Sequence, residues 1–246
     1  MNNLYSQWKK DEQTPFSGWD FSYIKDRLKV EKPPWNYEKE AKNLIKKATA
    51  VLDIGTGGGE AFSSFGPFSK HTFATESYSL NVPIARKKLT PLGIEVVKTN
   101  KSGKLPFADK EFDLVLSRHS FYNEKEVFRV LQGGGIFLTQ QVGGDNLKDL
   151  VQEFNIEPQT KGWTPKIARN NLERVGFKIE QAKEWSGKTK FKDVGAIVYS
   201  LKVIPWIVKG FNVDKYLPVL EGLQNKLNKG SKLVFKTTRF LIKAKK

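Results

Sequence analysis

The chain has no cysteine and only two histidines among its 246 residues. Disulfides, thiolate metal sites and cysteine nucleophiles are therefore all excluded, and His71 and His119 alone cannot build a histidine-rich metal centre. Long apolar runs are missing too: no stretch approaches the ~20 residues that a membrane-spanning helix needs. The opening MNNLYSQWKKDEQ lacks the basic start and apolar stretch of a secretory signal. Arginine is scarce, supplying seven of the 42 basic residues, although it is the side chain best matched to bidentate phosphate recognition. A cytoplasmic, metal-free enzyme is the simplest expectation.

What is present is core material and charge. Hydrophobic residues make up 39% of the chain, with 17 Phe and 6 Trp, enough for one α/β domain with a small cap. The net charge of +16 is unevenly spread. Residues 151–246 hold 20 basic and 8 acidic side chains, a balance of +12, against +3 for residues 1–50 and +1 for 51–150. Such asymmetry attracts nucleic acid, an anionic membrane surface or an acidic substrate; a lysine-rich composition with solvated faces is the simpler reading.

Residues 1–50 read as helical and connecting material rich in aromatics, broken at Pro33 and Pro34. From Val51 onward short apolar runs alternate with helical patterns, the signature of βαβ units. Strands are expected at AVLDIG, HTFAT, IEVVK, FDLVLS, GIFLTQQV, FKIEQAKEW and SKLVFKTTRFLIKA, with SGKTKFKD as a lysine-rich loop. The expected fold is α/β: a doubly wound, mainly parallel, seven-stranded sheet over residues 48–246, under a helical, aromatic N-terminal cap over residues 1–47. In the last strand Leu233, Phe235 and Thr237 alternate with Val234, Lys236 and Thr238, so it should have two unlike faces.

VLDIGTGGGE is the most informative stretch: an apolar strand runs into glycines 55, 57, 58 and 59, and a helix should begin near Glu60. Such a turn lets the backbone approach a ligand at the carboxyl edge of a parallel sheet. The dinucleotide fingerprint G-x-G-x-x-G fails, because counting from Gly55 its third glycine falls on Glu60, whose charge would repel a pyrophosphate. The Gly-Lys-Ser/Thr of a P-loop is absent. Asp-x-Gly-x-Gly-x-Gly fits, through Asp53, Gly55, Gly57 and Gly59.

This turn resembles the first motif of class I, Rossmann-like S-adenosylmethionine-dependent methyltransferases, of the type 11-like domain. LPFADKEFDLVLSRHS and VFRVLQGGGIFLTQQVG resemble later segments of the same family, in order, so the likeness spans roughly residues 48–145. It implies S-adenosyl-L-methionine as cofactor, with Gly55, Thr56, Gly57 and Gly59 under its methionine part and Asp53 in the network around its ammonium. Glu76, with Ser77 beside it, matches the acid that takes the ribose hydroxyls, and Asn100 or Lys101 the polar group facing adenine. Arg118 suits the cofactor carboxylate, an acidic substrate or a surface ion pair.

The acceptor half is less specific. His119 is the one imidazole near the expected chemistry, either as base or orienting group, or as a structural or cofactor contact. Gln140 and Gln141 end a strand whose alternation should turn one of them, Gln141, into the cleft. Trp19, Trp35, Tyr37 and Tyr122 could wall an acceptor or simply pack. A small-molecule acceptor is expected; structured RNA (tRNA or rRNA) is the alternative on charge grounds, and a catalytically silent cofactor-binding module the third reading.

Overall fold

The computed structural model describes residues 2–100, 102–157 and 162–246. Eight strands form one sheet: β1 (Leu28–Val30), β2 (Ala50–Ile54), β3 (His71–Glu76), β4 (Glu95–Lys98), β5 (Phe112–Arg118), β6 (Leu131–Val142), β7 (Lys178–Phe191) and β8 (Leu233–Lys245). Their order is β1-β7-β8-β6-β5-β2-β3-β4. From β4 to β6 all neighbours are parallel, whereas β8 runs antiparallel to β6 and β7, and β1 antiparallel to β7. The helices are α1 (Asn2–Gln13), α2 (Tyr37–Ile45), α3 (Asn81–Leu89), α4 (Glu124–Val130), α5 (Lys148–Glu153), α6 (Pro165–Arg174), α7 (Val194–Val203) and α8 (Leu217–Asn228).

Local chemistry sets the helix starts. Asn36, Asn123, Thr164 and Asp193 accept backbone N–H groups at the first turns of α2, α4, α6 and α7. Alternation along β2 sends Ala50, Leu52 and Ile54 into one core, with Val115, Phe137 and Phe240, and Val51 into another, with Ala41, Ile45, Leu114 and Leu116. A third core joins Trp8 of α1 and Leu220 of α8 to α7 and to Phe191 and Phe235 at the ends of β7 and β8.

The structure departs from these expectations at three points, two of them in the sheet. Leu28–Val30 adds an eighth, too short and too charged to show alternation, so the N-terminal segment is helical only in part. β7 continues through the expected lysine-rich loop to Phe191, because Thr189 and Phe191 face inward while Lys188 and Lys190 stay in water. The helix expected near Glu60 is a single 3-10 turn, Phe62–Ser64. Gly66 and Pro67 follow at once, and a proline cannot donate the next helical hydrogen bond. VGAIVYSLKV forms α7, a mainly apolar helix buried at every position but Lys202, which ends before Pro205.

Candidate active site

The carboxyl ends of β2, β3, β5 and β6 meet at the glycine turn. Gly55, Gly57 and Gly59 have φ of 68°, 65° and 80°, a region that side chains strongly disfavour. A Cβ at Gly55 would overlap Ser120 Oγ, and one at Gly57 would strike the Trp19 ring, so the N-terminal segment lies directly over the turn. Glu76 ends β3 buried at the base of the turn. Its Oε2 accepts the Gly57 N–H at 2.7 Å and its Oε1 the Tyr78 N–H at 2.7 Å. Each oxygen keeps a lone pair for a further donor, such as one of two neighbouring hydroxyls.

Asp53 sits at the end of β2, 6% exposed. Burial raises its carboxyl pKa to about 7, with the Thr56 hydroxyl and then Arg118 pulling it down and Glu76 adding to the rise. Two buried hydroxyls lie around it: Tyr37 OH and Thr56 Oγ1, the latter turned towards Asp53, neither within hydrogen-bond distance of a partner among the described residues. Burial and the Asp53 charge hold the Tyr37 phenol well above its usual pKa, so it is a donor. A carboxylate, a cation and two unmatched hydroxyls suit a ligand that carries both an ammonium and a carboxylate.

His119 follows Arg118 with φ 59°, a left-handed conformation that costs a non-glycine residue roughly 1 kcal/mol. Gln140 holds it there: its carbonyl accepts the His119 N–H at 2.8 Å, and its Nε2 lies 3.0 Å from His119 Nε2. The indole Nε1–H of Trp35 donates to Gln140 Oε1 at 2.8 Å. An indole only donates, so Gln140 Oε1 is the acceptor and its Nε2 the donor. His119 Nε2 is then the unprotonated nitrogen, and Nδ1 carries the hydrogen. Burial, then Arg239 and Arg118, push the imidazole well below 6.5. A neutral ring whose basic nitrogen is already occupied is a hydrogen-bond donor rather than a base.

A cavity of about 590 Å³ opens from Asp53, Gly55 and Thr56, passes Arg118 and His119, and ends at Asn146, Thr237 and Arg239. Its sides are mainly apolar, from Trp19, Phe21, Leu28, Phe191, Ile204 and Trp206. His119 and Arg118 have large accessible areas although they lie deep in the fold, since the surface they expose faces this cavity.

Residues 52–139 match the family model of a methyltransferase domain. The fold is shared with a Bacillus halodurans protein named as a methyltransferase, at 22% identity and TM-score 0.59 over 84% of this chain and 98% of that one. It is shared equally with the YcgJ protein of Bacillus subtilis, at 18% identity and TM-score 0.60 over 85% and 98%. A Deinococcus radiodurans protein of unknown function also aligns, at 16% identity and TM-score 0.59 over 99% and 97%. No curated protein matches the chain. Over residues 52–139 the chain is thus similar to a methyltransferase domain, and its sheet has the fold of these structures.

Within the matched segment Asp53, Gly55, Thr56, Gly57, Gly59, Glu76 and Arg118 gather at one sheet edge. Ser77 is exposed beside Glu76. Asn100 lies apart from the cavity, its Oδ1 taken by the Ser102 N–H at 2.9 Å and by the Ser102 hydroxyl, which leaves no ready acceptor for an adenine amino group. Lys101 falls outside the described residues. Gln141 lines the cavity, with Nε2 donating to Thr139 Oγ1 at 2.8 Å and to the Ser120 carbonyl at 3.0 Å.

The expected aromatic wall is corrected. Trp19 borders the cavity, but Trp35 acts through Gln140. Tyr37 is core: as the first residue of α2 it shares that helix's inward face with Ala41 and Ile45. Tyr122 is core as well, its ring turned under the sheet onto Phe137 at 4.9 Å. Sequence reasoning passed over Arg239 and Asn146. Arg239 was within reach, because extending the inward set Leu233, Phe235 and Thr237 by two residues lands on it.

Proposed function

We propose that this methyltransferase domain moves the methyl group of S-adenosylmethionine to a small-molecule acceptor enclosed in the cavity between the glycine turn and β8. The observation that carries this reading is the continuity of that space: it holds Asp53, Thr56 and Arg118 by the glycine turn, beneath Trp19, and continues between apolar walls from Leu28, Phe191, Ile204 and Trp206. A volume of this order suits a small ligand and its cofactor, not a folded polymer. Asp53 would receive the cofactor ammonium, Arg118 its carboxylate and Glu76 the ribose hydroxyls, with the Tyr37 and Thr56 hydroxyls completing their unmet hydrogen bonds.

When bound, the cofactor supplies an electrophilic methyl on a sulfonium. The protein's own contribution is alignment and exclusion of water, since an in-line displacement depends on geometry above all. His119, held by Gln140 and Trp35, would donate Nδ1–H to the acceptor and orient its nucleophilic atom. Calorimetry with S-adenosylhomocysteine tests the assignment. Binding should weaken at least tenfold in Glu76→Ala; an unbound or unaffected ligand rejects the cofactor assignment.

One observation favours an RNA substrate instead. On the outer face of the β1–β7–β8 ribbon, Lys29 stands opposite Lys190 and Lys188 opposite Lys236, like charges set against each other in register. A gel shift with tRNA and rRNA fragments at graded salt separates the readings: retention at low salt that Lys188→Glu with Lys190→Glu abolishes supports RNA, and no retention excludes it.

A further inference from the structure

Arg27 and Arg239 are both drawn into this fold, and they are treated differently. Arg27 bridges two carboxylates: Asp11 of α1 at 2.9 Å and Asp193, the cap of α7, at 2.6 Å. Arg239 has no carboxylate within ion-pair distance among the described residues. Its Nη1 alone is satisfied, donating to Asn146 Oδ1 at 2.8 Å, Thr237 Oγ1 at 3.1 Å and the Thr238 carbonyl at 2.7 Å. Its Nε and Nη2 make no hydrogen bond among the described residues. These two nitrogens form one edge of the guanidinium plane, the edge that grips a carboxylate with two parallel bonds.

The surroundings make an unpaired guanidinium edge expensive. Burial lowers the guanidinium to about 10, and Arg118 adds to the fall, yet the group stays charged at neutral pH. A cation so placed without a counter-ion is unfavourable unless a ligand completes it. Asn146 and the Thr237 hydroxyl fix the fork, and both border the cavity, as Arg239 does. Beside it the walls are apolar, with Leu147, Val151, Phe191 and Ile207. Arg118, by contrast, lies at the cofactor end next to Asp53.

We propose that Arg239, presented by Asn146 and Thr237, is the anchor for a carboxylate on the methyl acceptor, and that the acceptor is a small carboxylic acid with an apolar body. This rests on the cavity being the acceptor site. The acid is a binding handle, which places the rest of the molecule along the apolar walls towards His119.

The test is calorimetry on the full chain with decanoate and 3-phenylpropanoate, each against its alcohol, 1-decanol or 3-phenylpropanol. Wild type should bind at least one acid tenfold or more tighter than its alcohol. Arg239→Gln should erase that preference while S-adenosylhomocysteine affinity stays within twofold; Arg239→Lys should recover it only in part, having charge without the fork. Alcohols binding as well as acids, neither acid binding, or an acid preference surviving in Arg239→Gln would each overturn the proposal. So would an equal loss of S-adenosylhomocysteine in that variant, which would make Arg239 a cofactor contact. Should Arg239→Gln not fold, Asn146→Ala with Thr237→Val must reduce the preference by the same criterion. Acid binding without any S-adenosylhomocysteine binding would uphold the subsite and reject the methyltransferase assignment, so the two failures are distinct.

Discussion

Replacing Asp53 by Asn should make the free protein more stable at pH 8 while destroying its affinity for an ammonium-bearing ligand. The carboxyl is 6% exposed, and burial moves its pKa from 3.8 to about 7. At about 1.4 kcal/mol per tenfold change in protonation, the charged form is therefore opposed by about 4 kcal/mol in the folded state. The direction follows from proton binding. Between pH 4 and 7 the folded chain holds a proton at Asp53 that the unfolded chain has released, so stability falls as pH rises through that window and levels off above it. Asparagine carries no charge at any of these values. Allowing for its own buried amide, the variant should gain about 2–4 kcal/mol over wild type at pH 8, or roughly 5–10 °C in Tm, and little or nothing at pH 4. Thermal melts at the two pH values, followed by calorimetry with S-adenosylhomocysteine at pH 8, measure both halves. An Asn variant whose advantage does not grow from pH 4 to pH 8, or which binds the ligand as wild type does, refutes the reasoning.

Two further outcomes are expected. Tyr37→Phe removes a buried hydroxyl with no partner among the described residues, so urea unfolding should show equal stability or a gain of about 1 kcal/mol, with S-adenosylhomocysteine bound several-fold more weakly; a clear loss of stability would reveal a protein partner for that hydroxyl. Gly195→Ala would gain about 1 kcal/mol of helix propensity in α7, but its Cβ would overlap Asp11 Oδ2 and crowd Arg27 Nη2. Disturbing that pair, whose Asp11 side chain is fully buried, should dominate and lower stability by about 2–3 kcal/mol in the same assay; an unchanged or raised midpoint would show that the pair yields freely.

The parallel half of the sheet was legible because its physics is local. Between Ala50 and Val142 each strand is a short apolar run, and the glycine turn together with Asp53 and Glu76 follows from spacing along the chain. The other half depends on pairing. Leu28–Val30 becomes a strand only because β7 offers it an edge, and Lys188–Phe191 hides its alternation under lysine and glycine. The positions of Asp53 and Glu76 were readable for the same reason as the strands that end in them. The role of Gln140 was not, since it comes from Trp35, which approaches from 105 residues away in sequence. Tyr37 and Tyr122 show the converse: an aromatic near a site looks alike in sequence whether it lines a wall or fills a core.

The position of β8 shapes how the molecule forms as well as what it binds. The last strand in sequence lies between β6 and β7, so β7 and β1 cannot join the sheet until β8 has found β6. The strands from β2 to β6 can assemble through short crossovers, whereas closing the cavity brings together the first thirty residues and the last fifteen. Such non-local closure is slow in folding, and the chamber should be the last region to reach native order. The same strand that carries Arg239 into the cavity therefore sets the late step of folding.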